Sequence, residues 1–278
     1  MPEHLLYFTT ASLWLVLSAL FWRTASQASA SPASVARRPG AGLLPSLLLP
    51  LALVLHGILL YQTMATPDGV NLGLANAVSL IVWLTLLIYW FAGLVYPGMA
   101  SLQGLLAPVA LAAIAFQLLS GTQHLVGYFS EPLFALHFTI AMLAYALYIV
   151  ATVHALFMMA EEKFLRRGAL PPLLKQLPPL MEMEALLFRI LFAAFVLLSL
   201  TLVSGVFFSE EVFHKPFSIN HKTVFGLISW LIFGGLLVGH HFRGWRGRLA
   251  VNWTLAGFTA LMLAYVGSKF VLEILLKR

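Results

Sequence analysis

Long runs with almost no charge alternate with short polar breaks along the whole chain, and run length decides what the runs are. They lie at about 4–22, 43–63, 73–95, 103–120, 132–159, 184–208, 222–241 and 250–273. Each is close to or above the roughly 20 residues that cross a bilayer as α-helix. Hydrocarbon offers no partner for free backbone N–H and C=O groups, so such runs must be helical. They are too long and continuous for the alternating strands of roughly ten residues that build an outer-membrane barrel. The pattern therefore predicts an all-α polytopic membrane protein, a bundle of eight transmembrane helices forming one integral membrane domain over residues 1–278. No coiled coil, internal repeat or soluble domain interrupts it, and the longest loops, 23–42 and 160–183, are short.

Composition supports this picture: 61% of residues are hydrophobic and 9% charged, with a mean hydropathy of +0.93. The absence of cysteine excludes a CxxCH haem-attachment site, thiol redox chemistry and disulfides. Basic residues set the orientation. The loops after odd-numbered helices carry Arg23, Arg37, Arg38, Lys163, Arg166, Arg167, Lys175, Arg243, Arg246 and Arg248, whereas the opposite loops carry Lys215 and Lys222. By the positive-inside rule both termini face outward, which for a bacterial inner membrane means the periplasm. The net charge of +6 reflects these helix-end cations and gives no reason to expect nucleic acid as a partner. The first run could pass for a signal peptide, but Glu3 and His4 stand where a basic region belongs and Arg23 follows the run, so it reads as the first helix. Arg189, Lys269 and Glu273 sit near span ends, where long side chains snorkel to the interface.

With few ionisable groups in the spans, intramembrane histidines are the functional candidates. His56 lies about seven residues, and His137 about five, from the outward end of its predicted helix. At 1.5 Å per residue both sit roughly 7–11 Å below that surface. His240 and His241 lie roughly 27 Å along helix seven, and His154 is also near the basic side, so none of them shares that layer. His124, His214 and His221 belong to outward loops. Two neutral imidazoles at one depth on different helices are what a bis-histidine haem b needs on the two faces of its iron. His137 and His56 are thus the candidate metal ligands. Tyr148 is about 20° round the helix from His137, and Tyr145 about 80°, so that face can line a ring. The alternative is that each histidine only hydrogen-bonds a neighbouring helix. A zinc site is weaker, because HHFR places two adjacent rings about 100° apart and no His-x3-His occurs.

The residues also carry a family pattern. NHKTVFGLISW at 220–230, GWRG at 244–247 and GFTALMLAYVG at 257–267, together with LFALHFTIAMLAYALYIVA at 133–151, resemble the cytochrome c assembly protein family, the CcsA/CcmC/HemX-like haem-handling proteins. LVLHGILLYQ in helix two and GLANAVSLIVW in helix three are most similar to its YpjD-like branch. The resemblance implies an inner-membrane protein that binds haem non-covalently near the periplasmic face, with His137 as the outer axial histidine and His240 near the family's internal one. It also implies a haem platform before helix seven, where Trp-rich members read WxWDPK. Here Phe217 and Ile219 stand in place of two tryptophans, Asn220 in place of aspartate and His221 in place of proline. The segment is either a reduced platform, with Phe217, Ile219 and His221 as cofactor contacts, or a plain interfacial loop. The family's second outer histidine, after the last helix, is missing, which makes His56 the candidate replacement.

Expected partners are haem, the lipid bilayer and a further inner-membrane protein. No nucleophile–base arrangement is visible, so the expectation is holding or relaying haem, not enzymatic turnover. The rival reading is a membrane scaffold or regulatory subunit, HemX-like or accompanying a transporter, that has lost haem delivery. A permease is disfavoured by the lack of central carboxylates and broken helix pairs.

Overall fold

A computed structural model of the chain describes residues 3–28, 43–66, 69–95, 100–120, 124–126, 131–168, 179–211 and 221–264. It contains the eight helices: α1 (Glu3–Ala28), α2 (Leu43–Met64), α3 (Leu74–Val95), α4 (Ala100–Ser120), α5 (Pro132–Arg166), α6 (Leu180–Glu211), α7 (His221–Arg243) and α8 (Gly247–Met262). Among the described residues, six of them are long and apolar enough to cross a membrane, namely α1, α2, α3, α5, α6 and α7. The apolar stretch of α4, Leu106–Ser120, is shorter, and α8 is described for 16 residues. The expected end of the eighth span, with Lys269 and Glu273, lies outside the described residues.

Two helices outrun their apolar segments. α5 continues to Arg166 because Glu161, Glu162 and Lys163 are good helix formers that need no hydrocarbon. α6 starts at Leu180 with Glu182 in its first turn, where a carboxylate favours the positive end of the helix dipole. One element was not expected: a small sheet of three short strands in the order β1 (Ala65–Thr66), β2 (Gly69–Asn71) and β3 (Leu125–Val126), in which β1 and β2 are antiparallel with Ala65 against Val70 and Thr66 against Gly69. The Pro67-Asp68-Gly69 run is the turn signal for it.

The chain divides into two compact units, residues 1–125 with 164–178, and residues 126–163 with 179–278. In unit 1, α1 packs on α2 and α4, and α3 packs on the same two helices, closing a four-helix ring. In unit 2, α7 packs between α6 and α8, while α5 engages them through long side chains. Tyr145 donates its hydroxyl proton to Leu261 O on α8, and the Tyr148 ring stacks on Phe233 of α7 at 4.0 Å.

Most hydroxyls inside the spans satisfy themselves. Thr10, Ser18, Thr85, Thr152 and Thr254 each donate to the carbonyl four residues earlier in their own helix, which removes the need for an outside partner. Other hydroxyls join helices: among the described residues Ser79 meets His56 of α2, Ser204 meets His137 of α5 and Ser229 donates to α8, while Thr63 accepts from Gln117 of α4 and Ser199 from Trp230 of α7.

Candidate functional site

His137 projects from the second turn of α5, and its Nδ1 lies 2.8 Å from Ser204 Oγ on α6. The Ser204 hydroxyl also lies 3.2 Å from Thr201 O of its own helix. Ser204 thus holds the ring by Nδ1, as an outer-shell oxygen orients an imidazole. The ring is half-buried, and its Cε1 is 3.5 Å from where a Cβ on Gly205 would stand. A glycine thus keeps α6 low beside the imidazole.

His240 lies at the other end of unit 2. Its ring stacks on Phe188 of α6 at 3.5 Å and 14°, and Phe188 and Ser204 are separated by about 24 Å along that helix at 1.5 Å per residue. The two histidines therefore belong to opposite ends of the unit, as their depths in the sequence require. His240 Nδ1 is 2.9 Å from Trp245 O. A carbonyl only accepts, so this ring carries its proton on Nδ1.

The GWRG turn makes that bond possible. Gly244 has φ +65° and Gly247 φ +56°, both left-handed conformations that favour glycine. Gly244 N donates to His240 O and Trp245 N to Gly239 O, closing the end of α7. Trp245 folds back so closely that a Cβ on Gly239 would stand 2.3 Å from its ring. The turn is clamped from below: Gly247 N donates to Glu184 Oε2 at 3.1 Å, Arg246 Nε is 3.7 Å from Glu184 Oε1, and Arg248 Nε is 3.0 Å from Glu162 Oε1. Arg246 and Arg248 thus face carboxylates of α6 and α5.

His56 has a different setting in unit 1. It is 0% exposed, with Nε2 2.9 Å from Ser79 Oγ and the Trp14 ring edge-on at 6.1 Å. Its Nδ1 has no partner among the described residues. To ligate iron through Nε2 it would have to give up Ser79. His137 and His56 fall in different compact units.

Tyr148 is buried against Phe233, with its hydroxyl unpartnered among the described residues. Phe217 and Ile219 lie outside the described residues. His221 is the first residue of α7, and its side chain lies outside them as well. Among the described residues no three His, Cys, Asp or Glu side chains come together as a metal cluster. The sequence reading missed Ser204, Ser79 and Trp14. A signal existed for the first, since Ser204 sits about as far from the end of α6 as His137 does from the start of α5. For a ligand fit, the half-buried His137 with its Nδ1 anchored is a suitable axial donor, and His56 is enclosed.

A family model described as "Cytochrome C assembly protein" matches residues 44–276. The chain is 32% identical over 234 residues to the "Inner membrane protein YpjD" of Escherichia coli (strain K12), covering 81% of this chain and 85% of that protein. It is 33% identical over 141 residues to an uncharacterized 28.8 kDa protein of Azospirillum brasilense, covering 51% of this chain and 52% of the relative. Over 90 residues it is 31% identical to the "Cytochrome c biogenesis protein CcsA" of Prochlorococcus marinus (strain MIT 9515), covering 32% of this chain and 29% of that one. No solved structure matches.

Proposed function

The chain belongs to the cytochrome c assembly protein family, and from that membership we propose that it is a multi-pass inner-membrane protein that holds non-covalent haem b near the periplasmic face. The observation that supports the reading is His137, a half-buried imidazole near the start of α5 whose Nδ1 is tied to Ser204 of α6. Ser204 orients the ring, which is how an outer-shell partner prepares a metal ligand. Bound haem would supply an iron for an imidazole nitrogen to hold, and the haem itself is the cargo. Gly205 leaves the approach beside the imidazole free of a side chain. The basic end of unit 2, with Arg243, Arg246 and Arg248, faces the cytoplasm in this reading, which turns the His137 end toward the periplasm. The role is that of a carrier and not a catalyst.

Absorption spectra of the purified protein, expressed with added haem precursor, test the reading. A low-spin six-coordinate spectrum in the wild type, lost in His137→Ala, is expected. Its loss in His56→Ala as well would assign the second axial position to that residue, as the sequence pattern anticipates, and retention there would leave the ligation to His137 and another group. A colourless wild type sinks the haem reading. The rival, a scaffold or regulatory subunit, is favoured by the phenylalanine and isoleucine at 217 and 219 where haem-exporting members carry tryptophan. Colourless protein that co-purifies with one stoichiometric inner-membrane partner would select it.

A further inference from the structure

Unit 1 encloses a set of polar side chains, three of whose atoms have no partner among the described residues. Five side chains from its four helices are enclosed: Trp14, His56 and Ser79 at 0% exposure, Asn76 at 6% and Gln117 at 7%. Gln117 Nε2 spends both its protons, on Thr63 Oγ1 at 2.8 Å and on Asn76 Oδ1 at 2.7 Å. Its Oε1 has no partner among the described residues, and neither do Trp14 Nε1 and His56 Nδ1. Each unmatched polar atom costs roughly 1–3 kcal/mol when buried. The three belong to one stretch of the bundle. Ser79, bonded to His56, is one helical turn from Asn76, and His56 is two turns from Thr63, on the same face in each case. At 1.5 Å per residue the two polar layers are about 5–10 Å apart. The layer of Asn76 and Gln117 continues to the strand pair at the end of the unit: Asn76 Nδ2 donates to Asn71 O at 3.0 Å, and Asn71 Oδ1 accepts from the backbone N–H of the exposed His124 at 3.0 Å.

We infer that unit 1 holds bound water among Gln117, His56 and Trp14. The chemistry of the free atoms selects this ligand. The indole Nε1–H of Trp14 can only donate and Gln117 Oε1 can only accept. An anion finds no match at Gln117, a cation none at Trp14, and an apolar group leaves all three unmatched. None of the five side chains carries a fixed charge to balance an ion. Water both donates and accepts, and buried waters are held by two to four such partners. The interior of unit 1 is thus a hydrated polar site.

Water-edited solid-state NMR of the full chain in lipid bilayers, with histidine and tryptophan labelled with 15N and leucine methyls with 13C, tests this. Trp14→Phe and His56→Gln difference spectra assign the two signals. Magnetisation from water is expected to reach the Trp14 indole and the His56 ring at a rate comparable with exposed His124. Transfer as slow as to the buried methyls of Leu17 and Leu86 overturns the proposal in the wild-type protein alone. In Gln117→Leu the transfer to Trp14 and His56 is expected to fall while His124 is unchanged, and undiminished transfer overturns a water site shared with Gln117. Haem occupancy at His137 does not enter the measurement, so its outcome stands apart from the absorption spectra.

Discussion

In unit 2, His137, His154 and His240 each commit one nitrogen to an oxygen on a facing element, respectively Ser204 Oγ, Met183 O and Trp245 O. In unit 1, His56 meets Ser79 Oγ and shares its surroundings with two further unpartnered polar atoms, on Trp14 and Gln117. The unmatched atoms of unit 2, on Tyr148, His154 and Glu161, are instead strung out along α5. The difference shows two uses of a buried polar group. Where a ring meets one oxygen it is held in one orientation, and for His154 and His240 the partner is a carbonyl that only accepts, so the bonded nitrogen carries the proton. Where several free donors and acceptors cluster, the bundle is built around a small molecule that can serve them all.

Substitutions that separate the two units sharpen this contrast. The largest effect is expected from His137→Ala, which should abolish haem absorbance and leave the thermal stability of the detergent-solubilised protein little changed. Equal loss of fold and pigment would mean that the ring is structural. Ser204→Ala removes the orienting oxygen without touching the ligand atom, and haem affinity measured by titration should fall about 10–100-fold, with Ser204→Thr restoring much of it. If Ser204→Ala binds as tightly as the wild type, Ser204 does not orient the ligand.

Stability readouts come next. Gly239→Val drives a side chain into the Trp245 ring, and overpacking of that kind costs roughly 1–3 kcal/mol. The GWRG turn should loosen, seen as faster proteolysis next to Arg246. Ser79→Ala leaves His56 Nε2 without its oxygen and should destabilise by about 1–3 kcal/mol. Thr85→Ala, one helix face away and bonded only to its own backbone, should cost clearly less, and equal losses would remove the special status of the His56–Ser79 pair. The smallest effect, under about 1 kcal/mol, is expected for Glu162→Gln, since its partner Arg248 is largely exposed and screened by solvent. A loss of several kcal/mol there would show that the clamp on the turn, and not the packing of Trp245, fixes the end of α7.

Much of this was legible in the chain, and the reason differs by feature. The helices were legible because the bilayer imposes one length and one backbone solution on every apolar run. α2 and α3 begin and end within about a residue of expectation, while α5 overshoots to Arg166 because a helix of glutamates and lysines continues in water. The depth of each histidine followed from rise per residue, and His137 and His240 indeed lie at opposite ends of their unit. What surrounds each ring did not follow. Ser204 and Ser79 look like any of the hydroxyls that bond their own helix, and only the rotation of α6 against α5 and of α3 against α2 selects them. GWRG reads in sequence as a family motif carrying a helix-end cation, yet its carbonyl at Trp245 holds His240 in a turn where two glycines take left-handed conformations.

The linear order of residues determined that the backbone must be helical, how far each polar group lies from a span end, and which family the chain belongs to, because these depend on solvent and on distance along one axis. Tertiary structure decided which face of each helix meets which neighbour. That choice put His56 inside a sealed ring of helices with unmatched polar atoms and left His137 half-open with an anchored Nδ1, since packing sets the azimuth that the hydrophobic pattern of an all-apolar helix leaves free.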